Sequence, residues 1–478
     1  MKIVHNAILI TPTGNQVRVL PNHSLVFHAG RIVEFGPAAG YQERVSAGHY
    51  ADVLNADGRV MIPGLINTHH HLYQTLTRCL PSVQNEDLFH WLTKLYPYWR
   101  NLDYDAVRIA AMIGIAELLL HGCTTTSDHF YMLPPASDVR MEAVIEAAET
   151  LGVRLHLCRG SMTLGQSGGG LPPDDCVETD AGVLEDCRRV LDRFHDASEY
   201  SMRRIDLAPC SPFNCTREVL RDTVALARSY ENVLLHTHLA ETLDEERYCL
   251  KRYKCRPVQL LADLDFLGPD VYLAHCVHLN DEEIALFAKT GTAVSHNPSS
   301  NLRLGSGIAP VRKMLAAGVN VGLAVDGSSS NDGGNLLGEV RQALLSARAL
   351  QAMDYNAGPE RVPKRRGTAD TGPLFSAAEA FKLATLGGAA CLRRPELGHL
   401  NPGAAADFAL FRPDDVALAG AVAQDPLGAL VLGSAPRADM VYVAGKEVVR
   451  NGRIVALDEN ALAERMNALV GARFKTNT

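Results

Sequence analysis

"PGLINTHHHLYQTLTR", Pro63 to Arg78, decides how the rest of the chain is read. A short apolar run ends in three consecutive histidines. On an extended strand, residues i and i+2 share a face. His69 and His71 therefore point one way and His70 the other.

Seven further segments are built in the same manner. In order they are "GCTTTSDHF" (122–130), "VRLHLCRG" (153–160), "RIDLAPCSPF" (204–213), "NVLLHTHLAE" (232–241), "VYLAHCVHL" (271–279), "TAVSHNPSSN" (292–301) and "NVGLAVDGSSSND" (320–332). Each is apolar at first and polar where it should pass into a loop. Helical periodicity is found over Tyr104 to Leu120, Met141 to Leu151, Glu218 to Tyr230, Asp281 to Thr290 and Leu336 to Met353. Strands alternating with helices, polar at every C-terminal end, predict a (β/α)8 TIM barrel. A doubly wound sheet is the alternative, but it would want a glycine fingerprint after its first strand, and none is present. The glycines of "GQSGGGLPP" (165–173) read as a loop.

The two ends of the chain are different. "SLVFHAGRIVEFG" near the start, and "AADFALFRPDD" and "DMVYVAGKEVVRNGRIV" near the finish, are short strand patterns around Ala-Gly and Asn-Gly turns. The expected organisation is a barrel over residues 65–396 and a small β-sandwich composed of residues 1–64 and 397–478. Asp354 to Thr371 reads as a surface loop.

Composition narrows the partners. A net charge of −8 and a pI near 6.1 argue against nucleic acid and against a membrane surface, both of which call for a basic face. No apolar stretch is long enough to span a bilayer, and the N-terminal apolar run is broken by His5 and Asn6 without a cleavage site. The eleven cysteines are scattered and form no CxxC pair, as expected of reduced thiols in the cytoplasm.

Two inward imidazoles at the top of a barrel strand are either a hydrogen-bonded core pair or metal ligands. Other strand ends decide between these. His236 and His238 share a face on the fifth strand, followed by Glu241. The sixth strand ends at His275. The eighth ends at Asp326, a carboxylate directly after five apolar residues, which is costly unless paired or bound to a cation. Four strand ends with ligand chemistry imply a metal. His129 and His296 sit where a side chain would reach a substrate, while His5, His23, His28, His49, His90, His195 and His399 read as structural or exposed.

With these residues in hand, the chain resembles the amidohydrolase superfamily. The likeness lies in H-x-H after strand one, "HLAE" after strand five, His after strand six and Asp after strand eight. The fit is to the branch with one metal that deaminates nucleobases and related rings. The fourth strand lacks the lysine that bridges two metals in other members. Neither the H-x-E and P-C-x-x-C signatures of unrelated zinc deaminases nor HExxH occurs.

The resemblance implies a divalent ion, Zn2+ or alternatively Fe2+ or Mn2+, held by His69, His71, His238 and Asp326. It implies that Glu241 carries a proton from water to a ring nitrogen of the substrate, with His275 and Asp326 assisting. It also implies substrate contacts from Gln74, His129 and Cys210, and a homo-oligomer. "NTHHHLYQTLTRCLP", "DLFHWLTKLYP" and "LAPCSPF" are most similar to bacterial 8-oxoguanine deaminases, which yield urate and ammonia. Hydroxytriazine aminohydrolases of the hydroxyatrazine type, and isocytosine, pterin or guanine deaminases, are the alternatives. "SHNPSSN" departs from the His-Cys-Pro of relatives, which leaves the effect of Asn297 on the pocket open. A metal-binding homologue without catalysis is the reading from another class.

Overall fold

The computed structural model describes residues 1–356 and 373–474. The helix Leu336–Asn356 takes up the first three positions of the loop expected over Asp354 to Thr371, and the rest of that loop lies outside the described residues.

All eight expected strands form and close on one another. They are β1 (Leu65–Asn67), β2 (Cys123–Phe130), β3 (Arg154–Ser161), β4 (Arg203–Pro209), β5 (Leu235–Leu239), β6 (Val271–His275), β7 (Ala293–His296) and β8 (Val321–Leu323). Every neighbouring pair is parallel, and β8 closes the barrel through Leu323 beside Asn67 on β1. Helix boundaries follow local chemistry. The Asp103 side chain accepts from Ala106 N–H at the start of Tyr104–Leu120, and Asn280 with Glu283 forms a reciprocal capping box before Asp281–Thr290.

The chain ends form one nine-stranded sheet. Its seam is Val60–Pro63, parallel to Lys2–Thr13 on one side and antiparallel to Phe408–Phe411 on the other. The strands Gln16–His28 and Met440–Val443 lie four places apart in the strand order, about 19 Å across a flat sheet at the usual strand spacing. Yet the Phe27 ring lies 5.4 Å from Phe408 and 5.9 Å from Tyr442. The sheet therefore curls until its halves face each other over a core of Val4, Leu9, Leu25, Phe27, Met61, Phe408 and Tyr442, as in a sandwich. The last helix, Glu459–Arg473, returns to the barrel. Its Arg465 pairs with Asp105 at 2.6 Å and its Arg473 pairs with Asp103.

Among the described residues no helix is long and apolar enough to cross a membrane. All eleven cysteines are free, and nine are buried.

Sheet and barrel are joined by a buried ion pair. Arg154, first residue of β3, donates through Nε and Nη2 to both carboxylate oxygens of Asp407, each at 3.1 Å. Its Nη1 serves the carbonyls of Tyr200 and Ser201 at 2.7 Å, and Asp407 also accepts from Ala444 N–H at 2.6 Å. Removing one member strands a buried charge, so Asp407→Ala should cost about 3–5 kcal/mol. Asp414→Ala, which breaks only an exposed pair with Arg412, should leave the melting temperature unchanged. Equal melting temperatures for the two variants would refute the assignment.

Candidate metal and active site

His69 and His71 just past β1, His238 on β5 and Asp326 after β8 meet at the C-terminal end of the barrel. Asp326 Oδ1 is 3.3 Å from His69 Nε2 and 3.4 Å from His71 Nε2, and His71 Nε2 is 3.1 Å from His238 Nε2. All four side chains are buried.

Hydrogen bonds on the far side of each ring fix its tautomer. His71 Nδ1–H donates to the carbonyl of His129 (2.7 Å), and His238 Nδ1–H donates to the carbonyl of Cys210 (2.6 Å). His236 Nδ1–H donates to the carbonyl of Tyr272 (2.6 Å), which leaves His236 Nε2 to accept from His69 Nδ1–H (2.7 Å). All three Nε2 atoms thus carry lone pairs towards one point. Burial lowers the pKa of all three rings, keeping them neutral as ligation requires.

Two bare nitrogens 3.1 Å apart cannot hydrogen-bond to each other, and His69 Nε2 has no hydrogen-bond partner among the described residues. A carboxylate completes the group. Burial opposes its ionisation, but the His69 ring at 3.3 Å, together with His275 and His71, holds the Asp326 carboxyl well below the usual carboxylate range. Three nitrogens and one oxygen with nothing between them to satisfy them fit a divalent cation.

The backbone is strained where this chemistry sits. His275 (φ 71°) and Asp326 (φ 63°) occupy the left-handed region that side chains other than glycine seldom adopt. Gly327 follows for a steric reason: a Cβ there would fall 2.0 Å from Gln74 Oε1.

Beside these four residues stand two further titratable groups, Glu241 and His275. Glu241 Oε2 is 3.6 Å from His275 Nε2, which is 3.8 Å from Asp326 Oδ2. Burial raises the Glu241 carboxyl to about 7, with His275 opposing and Asp326 reinforcing the shift. Both oxygens of Glu245 accept backbone N–H bonds, from Ala240 (3.0 Å) and Glu241 (2.9 Å), and so anchor the chain that carries Glu241.

A cavity opens over this group. His71, His238, Glu241, His275 and Asp326 form its floor; Gln74, Cys210, Asn214, Tyr131, Phe213, Trp91 and Ser330 contribute to its wall. Neither the amide oxygen nor the amide nitrogen of Gln74 has a partner among the described residues, as suits a group kept for a ligand. Burial raises the Cys210 thiol far above its usual range, so it lines the cavity as a neutral group.

Three expectations change. His129 does not line the cavity: its Nε2–H donates to the carbonyl of Ala208 (2.8 Å), and its ring stacks on His238 at 4.7 Å, which places it beneath the ligands. His296 is likewise buried outside the cavity wall. Asn297 is buried as well, donating to the carbonyl of Ser295 at 3.2 Å, so it shapes the loop rather than the pocket surface. His70 turns away, as strand alternation requires, with both ring nitrogens buried and unpartnered.

The sequence reading missed the aromatic and apolar wall. Leu88, Trp91 and Leu92 come from the helix Leu88–Trp99, and their i, i+3, i+4 spacing marks them as one face. It also gave His236 no function; the structure makes it the acceptor that sets the tautomer of His69.

Comparison with known proteins agrees with this geometry. Residues 60–455 match the amidohydrolase family. The chain is 43% identical over 448 residues to 8-oxoguanine deaminase of Pseudomonas aeruginosa, covering 94% of each chain. It is 36% identical to hydroxydechloroatrazine ethylaminohydrolase of Pseudomonas sp. (strain ADP), covering 93% of this chain and 90% of that protein. The crystal structure of atrazine chlorohydrolase from Arthrobacter aurescens TC1 complexed with zinc superposes with a TM-score of 0.88 at 34% identity, covering 98% of this chain and 100% of that one. Barrel, buried ligand set and relatives together lead to one conclusion: the chain belongs to the amidohydrolase family.

Proposed function

We propose that the protein is a metal-dependent hydrolytic deaminase of an amino-substituted aromatic heterocycle, with 8-oxoguanine as substrate and urate and ammonia as products. The observation that carries this reading is the placing of Glu241 and His275 against the ligand group on the floor of one cavity. A purely structural metal site needs no such carboxylate and no cavity above it. The 43% identity to an 8-oxoguanine deaminase supports the choice of ring.

His69, His71, His238 and Asp326 are the residues that would hold the ion, and three nitrogens with one oxygen suit zinc. When bound, such an ion supplies Lewis acidity that brings the pKa of water towards neutrality. The remaining steps belong to the protein. Glu241 takes a proton from the attacking water and gives it to a ring nitrogen beside the amine-bearing carbon, which makes that carbon electrophilic. His275 Nε2 and Asp326 receive the second proton and return it to the departing amine. Water adds, the C–N bond breaks, and ammonia leaves. Gln74 presents a free amide to the ring, and the aromatic wall excludes bulk water. A hydroxytriazine ring of the hydroxyatrazine type is the second reading, favoured by the 36% identity to the ethylaminohydrolase.

Ammonia release from 8-oxoguanine, guanine, isocytosine, isoxanthopterin and hydroxyatrazine separates these readings. The highest kcat/KM is expected for 8-oxoguanine. No release from any of the five by metal-loaded protein would end the catalytic reading.

Glu241→Gln should lower kcat by roughly 10²–10⁴-fold while retaining metal. Glu241 must be ionised to accept the first proton, so kcat/KM should fall as the pH drops through its pKa. That value is about 7 from the protein alone, and a neighbouring cation draws it lower, so the acidic limb should lie at or below neutrality. A profile without an acidic limb would contradict this assignment.

His69→Asn should lose bound metal by elemental analysis, whereas His70→Asn should keep it, because His70 faces away from the site. Equal metal contents in the two variants would overturn the ligand assignment.

A further inference from the structure

His275 is the one member of the proton-handling group whose far side is held by a side chain. Its Nδ1 lies 2.9 Å from Asn301 Oδ1, and both residues are buried. An amide oxygen can only accept, so the Nδ1 proton is committed to Asn301. The other ring nitrogen, Nε2, faces Glu241 Oε2 at 3.6 Å and Asp326 Oδ2 at 3.8 Å.

The same short segment also reaches Glu241. Asn301 lies in the helix Pro298–Arg303, which follows β7, and its backbone N–H donates to the carbonyl of Asn297 at 3.0 Å. The Asn301 carbonyl accepts from Ser306 N–H at 2.8 Å. Ser306 Oγ in turn donates to Glu241 Oε1 at 3.4 Å, and the Ser306 carbonyl accepts from His278 Nε2–H at 2.9 Å. Residues 301–306 thus form a frame that touches His275 at one end and Glu241 at the other, without contacting any of the proposed metal ligands through its side-chain hydrogen bonds.

The geometry points to Asn301 as a positioning residue that pins the Nδ1 proton of His275, so that Nε2 alone exchanges protons with the reacting groups. Without that acceptor the ring is free to carry its proton on either nitrogen. A neutral His275 with the proton on Nε2 has no lone pair to offer the site. The inference deepens the deaminase reading and, for its kinetic part, rests on it.

Two variants and two readouts test it. Asn301→Leu keeps the volume and removes the acceptor; Asn301→Asp keeps the acceptor. On the best substrate of the panel, Asn301→Leu should lower kcat by roughly 10–100-fold, with KM within about threefold and metal content as in the parent protein. Asn301→Asp should recover at least about tenfold of the loss. The second readout needs no turnover. Nitrogen-15 chemical shifts of His275 in metal-loaded, histidine-labelled protein, assigned by comparison with His275→Asn, should show a protonated Nδ1 in the parent. They should show a mixture of tautomers, or the reverse tautomer, in Asn301→Leu. An unchanged kcat in Asn301→Leu, or a His275 spectrum identical to that of the parent, overturns the assignment. If no panel substrate is turned over, the deaminase reading fails, and the spectra still decide whether Asn301 sets the tautomer.

Discussion

Three imidazole lone pairs held at one buried point are the constraint on which the top of this barrel depends. Each is bare because the opposite nitrogen of its ring has given its proton to a fixed acceptor. For His71 and His238 these acceptors are the backbone carbonyls of His129 and Cys210. For His69 the acceptor is His236, itself committed to the carbonyl of Tyr272. The acceptors lie on or just beyond β2, β4, β5 and β6, so the ligand tautomers are set by how neighbouring strands are registered in the closed sheet. A one-residue slip of β2 would replace a carbonyl acceptor with an N–H donor and put the wrong nitrogen of His71 in the site. Barrel closure and ligand electronics are therefore the same requirement. The ion pair between Arg154 and Asp407 carries it outward, because it ties the start of β3 to the sheet formed by the chain ends.

Most of this was legible in the sequence because period-two alternation reports which side of a strand a residue occupies. It separated His69 and His71 from His70, and it placed His238 and Asp326 on the inner face. Alternation says nothing of depth along the barrel axis. His129 faces inwards, yet it is stacked on His238 and bonded to the carbonyl of Ala208, outside the cavity wall. Depth depends on the stagger between strands, which is a property of the closed sheet and not of any one segment. The cavity wall was illegible for a related reason. Leu88, Trp91 and Leu92 are plainly one helical face, but periodicity does not say over which part of the barrel a helix in the loop after β1 will settle.

Backbone conformation adds a cost that the site's chemistry accounts for. His275 and Asp326 end β6 and follow β8 in left-handed backbone geometry, which a side chain other than glycine adopts only when its surroundings over-determine it. Here the surroundings do so. Asp326 is bracketed by His69, His71 and its own following amide, with Gly327 N–H donating to Oδ1 at 2.6 Å. That same glycine clears the space into which Gln74 extends. The "AVDG" stretch is thus one device: the carboxylate turns into the ligand group, and the missing Cβ admits the amide that faces the cavity.

The contrast between the proposed ligands and the proposed proton carrier is the last step in relating this geometry to catalysis. The ligand rings are tethered by hydrogen bonds of 2.6 and 2.7 Å, and their positions cannot drift without breaking one. Glu241 is treated differently. Its backbone is clamped by both oxygens of Glu245, but among the described residues its own carboxylate accepts a single long hydrogen bond, from Ser306 at 3.4 Å, beside the 3.6 Å approach of His275 Nε2. The proton transfer proposed for Glu241, which collects a proton in one place and delivers it in another, would gain from a fixed root and a loosely held tip. The residues that would hold a cation gain from having neither end free. The protein distributes its hydrogen bonds accordingly: one short bond to the far nitrogen of each of the three histidines, and a single long one to the Glu241 carboxylate.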